Sequence, residues 1–265
     1  MSPVAPARAA AYAILRSVNE GRADLPDAVA RARERLEDER DRSLAAEIAA
    51  GTLRWQAAID AVLDGFSRVP SARLDPEVRD ILRSAAYQLL HLERVPPSAV
   101  VNDAVELVRR ERKGSATGLV NAVLRRIDRE RDRLPLPPPP APGEDDGPAL
   151  DYLSKTLSHP RWLVARWLAR HGFQAAEAWA RFDNSPAPIT LRANTVKITR
   201  DALAARLAVA GVATAPTRFA PEGLVVSSGN PLRTTLASEG LFVVQDEASQ
   251  LVAAFAGATP GERVL

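Results

Sequence analysis

Apolar residues recur at helical spacing through residues 5–133, in runs such as Ala9, Ala10, Ala13 and Ile14, then Leu44 and Ile48, then Ile59, Val62, Leu63 and Phe66. Steps of three and four put such side chains on one helix face, so this half predicts an all-helical bundle. Breaks at residues 21–26, 69–76 and 96–97 and near Gly114 divide it into about five to seven helices. Asp75-Pro76-Glu77 predicts a helix start, because aspartate can cap orphan N–H groups and proline at the first position sacrifices none. The pattern stops at residues 134–148, LPLPPPPAPGEDDGP, which cannot form helix and has little to bury. That segment predicts a semi-extended linker separating two units. Beyond it, residues 151–156 and 160–183 read as helix, and the pattern then turns to mixed α/β. Residues 189–192, 224–227 and 241–244 predict strands, and residues 200–210 and 246–255 predict helices. A turn at Thr259-Pro260-Gly261 leads into residues 262–265, which read as the opening of a buried strand that stops with the sequence. The expectation is an unfinished last domain.

A length of 265 residues suits two compact units, each with its own core. The composition, 46% apolar, 26% charged and 5% aromatic, is that of a folded, helix-leaning protein rather than a disordered one. The formal net charge of +2 gives no argument for nucleic acid, so any such argument rests on where the charges sit. Cysteine is absent, which excludes disulfides, thiolate metal sites and a cysteine nucleophile from these residues. The three histidines, His91, His159 and His171, lack ligand spacing, so no metal site is expected. No Walker loop or glycine-rich dinucleotide pattern occurs, and Gly114 and Gly118 read as helix punctuation. With no apolar run of membrane length and no secretory signal, the expected location is the cytoplasm.

The densest basic region is residues 105–133, where nine arginines and lysines face five acidic residues. On two consecutive helices these cations could track phosphates, or form a solvated face with partners such as Glu106 for Arg109 and Asp132 for Arg129, and charge alone supports both readings equally. Asn102 and Asn121 sit among residues suited to a buried helix pair, and their amides are read as satisfying backbone groups at helix starts or between helices. Trp162 and Trp167 belong to a helix opened by His159-Pro160. Core packing accounts for at least one of them, and an exposed indole beside Arg161 or Arg166 could stack on bases. Asp246 and Glu247 begin a helix, where the macrodipole favours negative charge, so capping is the favoured reading.

Residues 81–110, ILRSAAYQLLHLERVPPSAVVNDAVELVRR, followed by GLVNAVLRRI at 118–127, closely resemble the NusB-like RNA-binding domain. Residues 157–167, 184–203 and 240–253 resemble the Sun/Fmu family of 16S ribosomal RNA cytosine-5 methyltransferases. The resemblance covers nearly the whole chain apart from the linker. It implies an all-helical NusB-like domain at 1–134, a linker at 135–149, a small α/β RNA-recognition subdomain at 150–240 and, at 241–265, the truncated start of a Rossmann-type methyltransferase domain.

By that resemblance the complete enzyme uses S-adenosylmethionine, and this chain alone is expected neither to bind it nor to be catalytically competent. The family chemistry adds one cysteine thiolate to C6 of a cytosine drawn out of its stack and uses a second cysteine in product release. No residue here can take either role, so no catalytic residue is assigned. Gln245, Asp246 and Ser249 match the segment before the family's cofactor loop and are expected at most to border the cofactor. Arg109, Arg110, Lys113, Arg125 and Arg126 in the NusB-like motif, with Arg161 and Arg192 beyond it, are expected to bind 16S ribosomal RNA. The alternative is a non-catalytic NusB-like RNA-binding or antitermination factor.

Overall fold

The structure, a computed structural model, describes residues 3–143, 145–257 and 261–263. Its chain divides into two compact units, Met1–Asn184 and Ser185–Leu265. The first contains helices α1 Pro6–Asn19, α2 Leu25–Arg35, α3 Glu39–Arg54, α4 Gln56–Phe66, α5 Pro76–His91, α6 Pro97–Arg110 and α7 Thr117–Arg129. Proline opens α1, α5 and α6, where its missing N–H breaks no intrahelical bond. Asp24 and Asp38 cap α2 and α3 by accepting from the backbone N–H groups of Asp27 and Arg40. Asp75 precedes α5 as expected but makes no capping bond, and instead pairs with Lys113 at 2.9 Å.

Helix α5 is the centre of the bundle, buried along Val78, Ile81, Leu82, Ala85 and Ala86. One apolar cluster joins it to α4, α6 and α7, and a second joins α1, α2 and α3. Its polar residues are buried too and fasten α1 to it. Asp80 accepts from Arg16 at 3.0 Å and Asn19 at 2.9 Å, and Gln88 accepts from Arg8 at 2.8 Å. Arg83 donates to both carboxylate oxygens of Asp60 on α4 at 2.7 and 2.6 Å. Gly51 on α3 is required by contact, because a Cβ there would lie 1.9 Å from the Tyr87 ring.

The proline-rich segment does not hold two units apart. Leu134 and Leu136 pack against the bundle core, and Pro135 lies over Gly65, where a Cβ would come within 2.4 Å of its ring. Next come α8 Asp146–Asp151, a π-helical turn Tyr152–Thr156 and α9 Arg161–Asn184, which Gly172 breaks with φ 76°. Ser158 accepts from the Ala57 N–H at 3.0 Å, which caps α4, and Thr156 donates to the Pro137 carbonyl at 2.7 Å. Compact unit one therefore ends at Asn184 rather than at the proline run.

The second unit is a four-stranded antiparallel sheet of β1 Thr190–Ala193, β2 Ala213–Pro216, β3 Gly223–Ser228 and β4 Phe242–Val244, in the order β2-β3-β1-β4. Helix α10 Arg200–Val209 covers it through Leu203 and Leu207, which pack with Leu191, Leu224 and Phe242. Short α11 Thr235–Ser238 and α12 Glu247–Phe255 complete the unit. Residues 242–244, expected to open a following domain, pair with β1 instead, so the boundary expected at residue 240 falls inside this sheet. Thr259 and Pro260 of the expected turn at 259–261, and Val264 and Leu265 of the strand expected at 262–265, lie outside the described residues.

Candidate nucleic-acid interface

Helices α6 and α7 lie side by side, with Val100, Val101, Ala104, Val108, Val120, Val123, Leu124 and Ile127 turned into the core. The helical repeat sends Asn102, Arg109, Arg110, Arg125 and Arg126 outward. Between the two helices runs a cleft of about 640 Å³, lined by Asn102, Glu106, Arg109, Thr117, Gly118 and Asn121 among others. The first turn of α7 forms one end of that wall and has no side-chain cap, and although the Thr117 N–H is taken by the Gly114 carbonyl, the helix dipole favours an anion there.

The expected RNA contacts separate by their partners. Arg109 sits 3.4 Å from Glu106, and Arg110 sits 4.0 Å from the same carboxylate. Glu106 is only 6% exposed, and it accepts a hydrogen bond from Arg109 alone, its Oε1 having no hydrogen-bond partner. Arg125 donates to Asn121 at 3.0 Å and borders the cleft through it. Of the three, Arg109 alone lines the cleft itself. Arg126 turns to the Phe66 ring, 4.7 Å from its centroid, and pairs with Glu130 at 3.0 Å. Lys113 is held by Asp75 and Glu77. Arg161 pairs with Asp151, and Arg192, in the other unit, pairs with Glu222 at 3.0 Å.

Sequence reasoning placed Asn102 and Asn121 in the interior, yet Asn102 is exposed and Asn121 half-buried on the cleft wall. Their offset of one residue from the neighbouring apolar positions was the available signal. Arg109 does meet Glu106 as expected, while Arg129 and Asp132 form no ion pair among the described residues. Trp167 is half-buried and Trp162 exposed, which divides the two indoles between core and surface.

Asp246 and Ser249 are exposed, and the neighbouring cavity of about 160 Å³ is lined by Arg192, Glu222 and Gln250 instead. The Gln245 Oε1 is buried without a hydrogen-bond partner, the one unsatisfied group of the three. Asp246 makes no capping bond, and Glu247 accepts from the backbone N–H groups of Phe219 and Ala220, which hold its carboxyl below the usual range.

The NusB family model matches residues 5–129, the whole of the bundle, and the model for the ferredoxin-like domain of RsmF/B-like methyltransferases matches residues 159–233. The chain is 33% identical over 259 residues to ribosomal RNA small subunit methyltransferase B of Pseudomonas putida, covering 97% of this chain and 56% of that one. The chain belongs to the Sun/Fmu family. A probable methyltransferase B of Bacillus subtilis is 34% identical over 216 residues, 81% of this chain and 46% of that relative. The chain therefore spans about half the length of the curated Sun/Fmu relatives it matches. The crystal structure of PH0851 shares the fold with a TM-score of 0.66 at 21% identity, over 98% of this chain and 57% of that one. Among the described residues no helix is long and apolar enough to cross a membrane, and no group of three or more His, Cys, Asp or Glu side chains is placed to hold a metal.

Proposed function

We propose that this chain is the RNA-binding part of an S-adenosylmethionine-dependent methyltransferase that modifies cytosine C5 in 16S ribosomal RNA, working in the cytoplasm. The observation that carries the reading is the polar cleft between α6 and α7, lined by Arg109, Asn102 and Asn121, with Arg125 bonded to Asn121 at its wall and Arg110 outward on α6. Guanidiniums oriented in this way fit phosphates, while asparagine amides beside them can hydrogen-bond base or sugar edges. The role of these residues is to hold RNA in register while chemistry takes place elsewhere. Activating C5 by adding a thiolate to C6 needs a cysteine, which this chain lacks, and the cofactor would supply the methyl group.

Two measurements test the reading. Neutralising Arg109, Arg110 and Arg125 to glutamine should weaken binding of a 16S-derived RNA. It should also flatten the plot of log affinity against log salt by roughly 0.7 per lost phosphate contact on a single strand. An unchanged slope would remove the cleft from the interface. Calorimetry with S-adenosylmethionine should give no binding heat with this chain. Binding would place a cofactor site within these residues and overturn the division of labour.

A further inference from the structure

The second part of the first unit carries aromatic side chains that its core does not absorb. Trp162, Trp179 and Phe182, all on α9, are 64%, 54% and 73% exposed. The small core beside them is built from Tyr152, Leu153, Leu157, Val164, Ala176 and Ala180. Trp179 is nevertheless held in place. The break at Gly172 lets the second half of α9 return to the first, and the Trp179 ring lies 5.7 Å from Trp167 at 31°. Trp167 in turn lies 5.7 Å from His159, whose side chain is 10% exposed and whose Nδ1 is 2.6 Å from the Leu157 carbonyl oxygen. The outer indole is thus backed by two further rings while more than half of the residue stays exposed.

Cations flank the rings. The helical repeat points Arg166 and Arg170 between the directions of Trp162 and Trp167, on the exposed face of the first half of α9. Among the described residues neither arginine forms an ion pair, whereas Arg161 is paired with Asp151 and Arg181 with Glu177. The nearby acid, Asp183, lies 3.9 Å from His159 Nε2. Arginines without local carboxylates call for an anionic ligand, and a rigid exposed ring calls for a flat one. A strand with unpaired bases offers both in alternation.

We propose that this face of α9 is a stacking site for unpaired RNA bases, with Trp162 and Trp179 against the bases and Arg166 and Arg170 on the adjoining phosphates. The inference rests on the RNA-binding reading and adds to it a second contact, specific for unpaired rather than paired RNA. The test is fluorescence anisotropy with a short labelled unpaired RNA and a duplex of the same length, on this chain and its Trp162→Ala/Trp179→Ala variant. A Trp162→Phe/Trp179→Phe variant keeps the rings as a control. The alanine variant should lose about tenfold or more in affinity for the unpaired RNA and little for the duplex, and the phenylalanine variant should retain most of the affinity. Equal affinity of the original chain and the alanine variant for the unpaired RNA overturns the proposal and gives the face to another occupant, such as a protein partner. A phenylalanine variant as weak as the alanine one also overturns it, since stacking is then not what was lost. If the original chain binds neither RNA, the proposed function fails, a result distinct from losing the platform while binding at the arginine cleft persists.

Discussion

Asp80 shows how a single buried acid organises the bundle. It is 1% exposed and meets Arg16, Asn19 and, at 3.6 Å, Arg83. Burial nevertheless pushes its carboxyl above the usual aspartate range, against the pull of Arg16 and Arg83, so desolvation outweighs the ion pairs. The group is a poor source of net stability but an expensive one to remove, because Arg16 would keep only the more exposed Glu20 and Glu77, while Arg83 keeps Asp60. Asp80→Asn should lower the unfolding free energy by about 3 kcal/mol, measured by urea denaturation. A loss below about 0.5 kcal/mol would mean that Arg16 and Arg83 find water or other acids. His91 is governed by its ring contacts. It stacks on Trp55 and Tyr87 at 4.8 and 5.1 Å, and burial holds its pKa below the ordinary value of 6.5 even though Glu47 pulls it up. A depressed histidine favours the neutral form in the fold. Its contribution to stability is therefore full above pH 6.5 and is lost as pH falls through the folded value. The residue is exposed at the end of α5, so the energetic effect is small, and the direct measurement is an NMR titration. His91 should titrate below 6.5, and Trp55→Ala should move it back towards that value.

At the scale of elements, α6 and α7 were legible because their apolar residues keep helical spacing without a break and leave the arginines on the opposite face. What spacing could not reveal is which cations are already engaged, since Asp75, Glu77 and Phe66 reach Lys113 and Arg126 from other helices. That difference predicts unequal roles within one basic run. Lys113→Gln should leave the salt dependence of RNA binding unchanged, whereas Arg109→Gln should reduce the slope by roughly 0.7 on a single strand. Equal effects would mean that Lys113 leaves its acids when RNA arrives. Other elements were hidden for local reasons. Strand β2, Ala213–Pro216, has a single β-branched residue and ends in proline, so it carried no strand signal, and only pairing with β3 makes it one. Helix α9 reads as one apolar-periodic run because the pattern resumes after Gly172, and the positive φ there has no signature except the glycine itself. Strand β4 was recognised as a strand, but its partner β1 lies some fifty residues back, and periodicity says nothing about pairing.

At the scale of the whole molecule, the proline-rich segment is the informative misreading. Its composition keeps residues 134–143 out of helix, although Asp146, Gly147 and Pro148 open α8, and Leu134 and Leu136 pack half-buried against the bundle, which a count of prolines hides. The chain downstream then supplies the bundle with groups it lacks. Trp55 gives α4 no side-chain cap, and the Ser158 hydroxyl takes the Ala57 N–H instead, while the turn Tyr152–Thr156 packs on α4. A cap is worth about 1 kcal/mol, and the covered apolar surface adds about as much again for each leucine-sized side chain. A protein ending at residue 134 therefore gives up on the order of 2–3 kcal/mol relative to one ending at residue 184. For a domain of this size that corresponds to a melting temperature lower by roughly 5–10 °C. Calorimetry on the two lengths measures it, and residues 1–184 should unfold in a single transition, as one compact unit requires. Two transitions in the longer protein, or equal melting temperatures, would return the segment to the role its composition suggested and leave α8 and α9 as a separate body. One cooperative transition would mean instead that the arginine cleft and the aromatic face of α9 are carried on a common rigid frame, so that RNA reaching both is held by a single body.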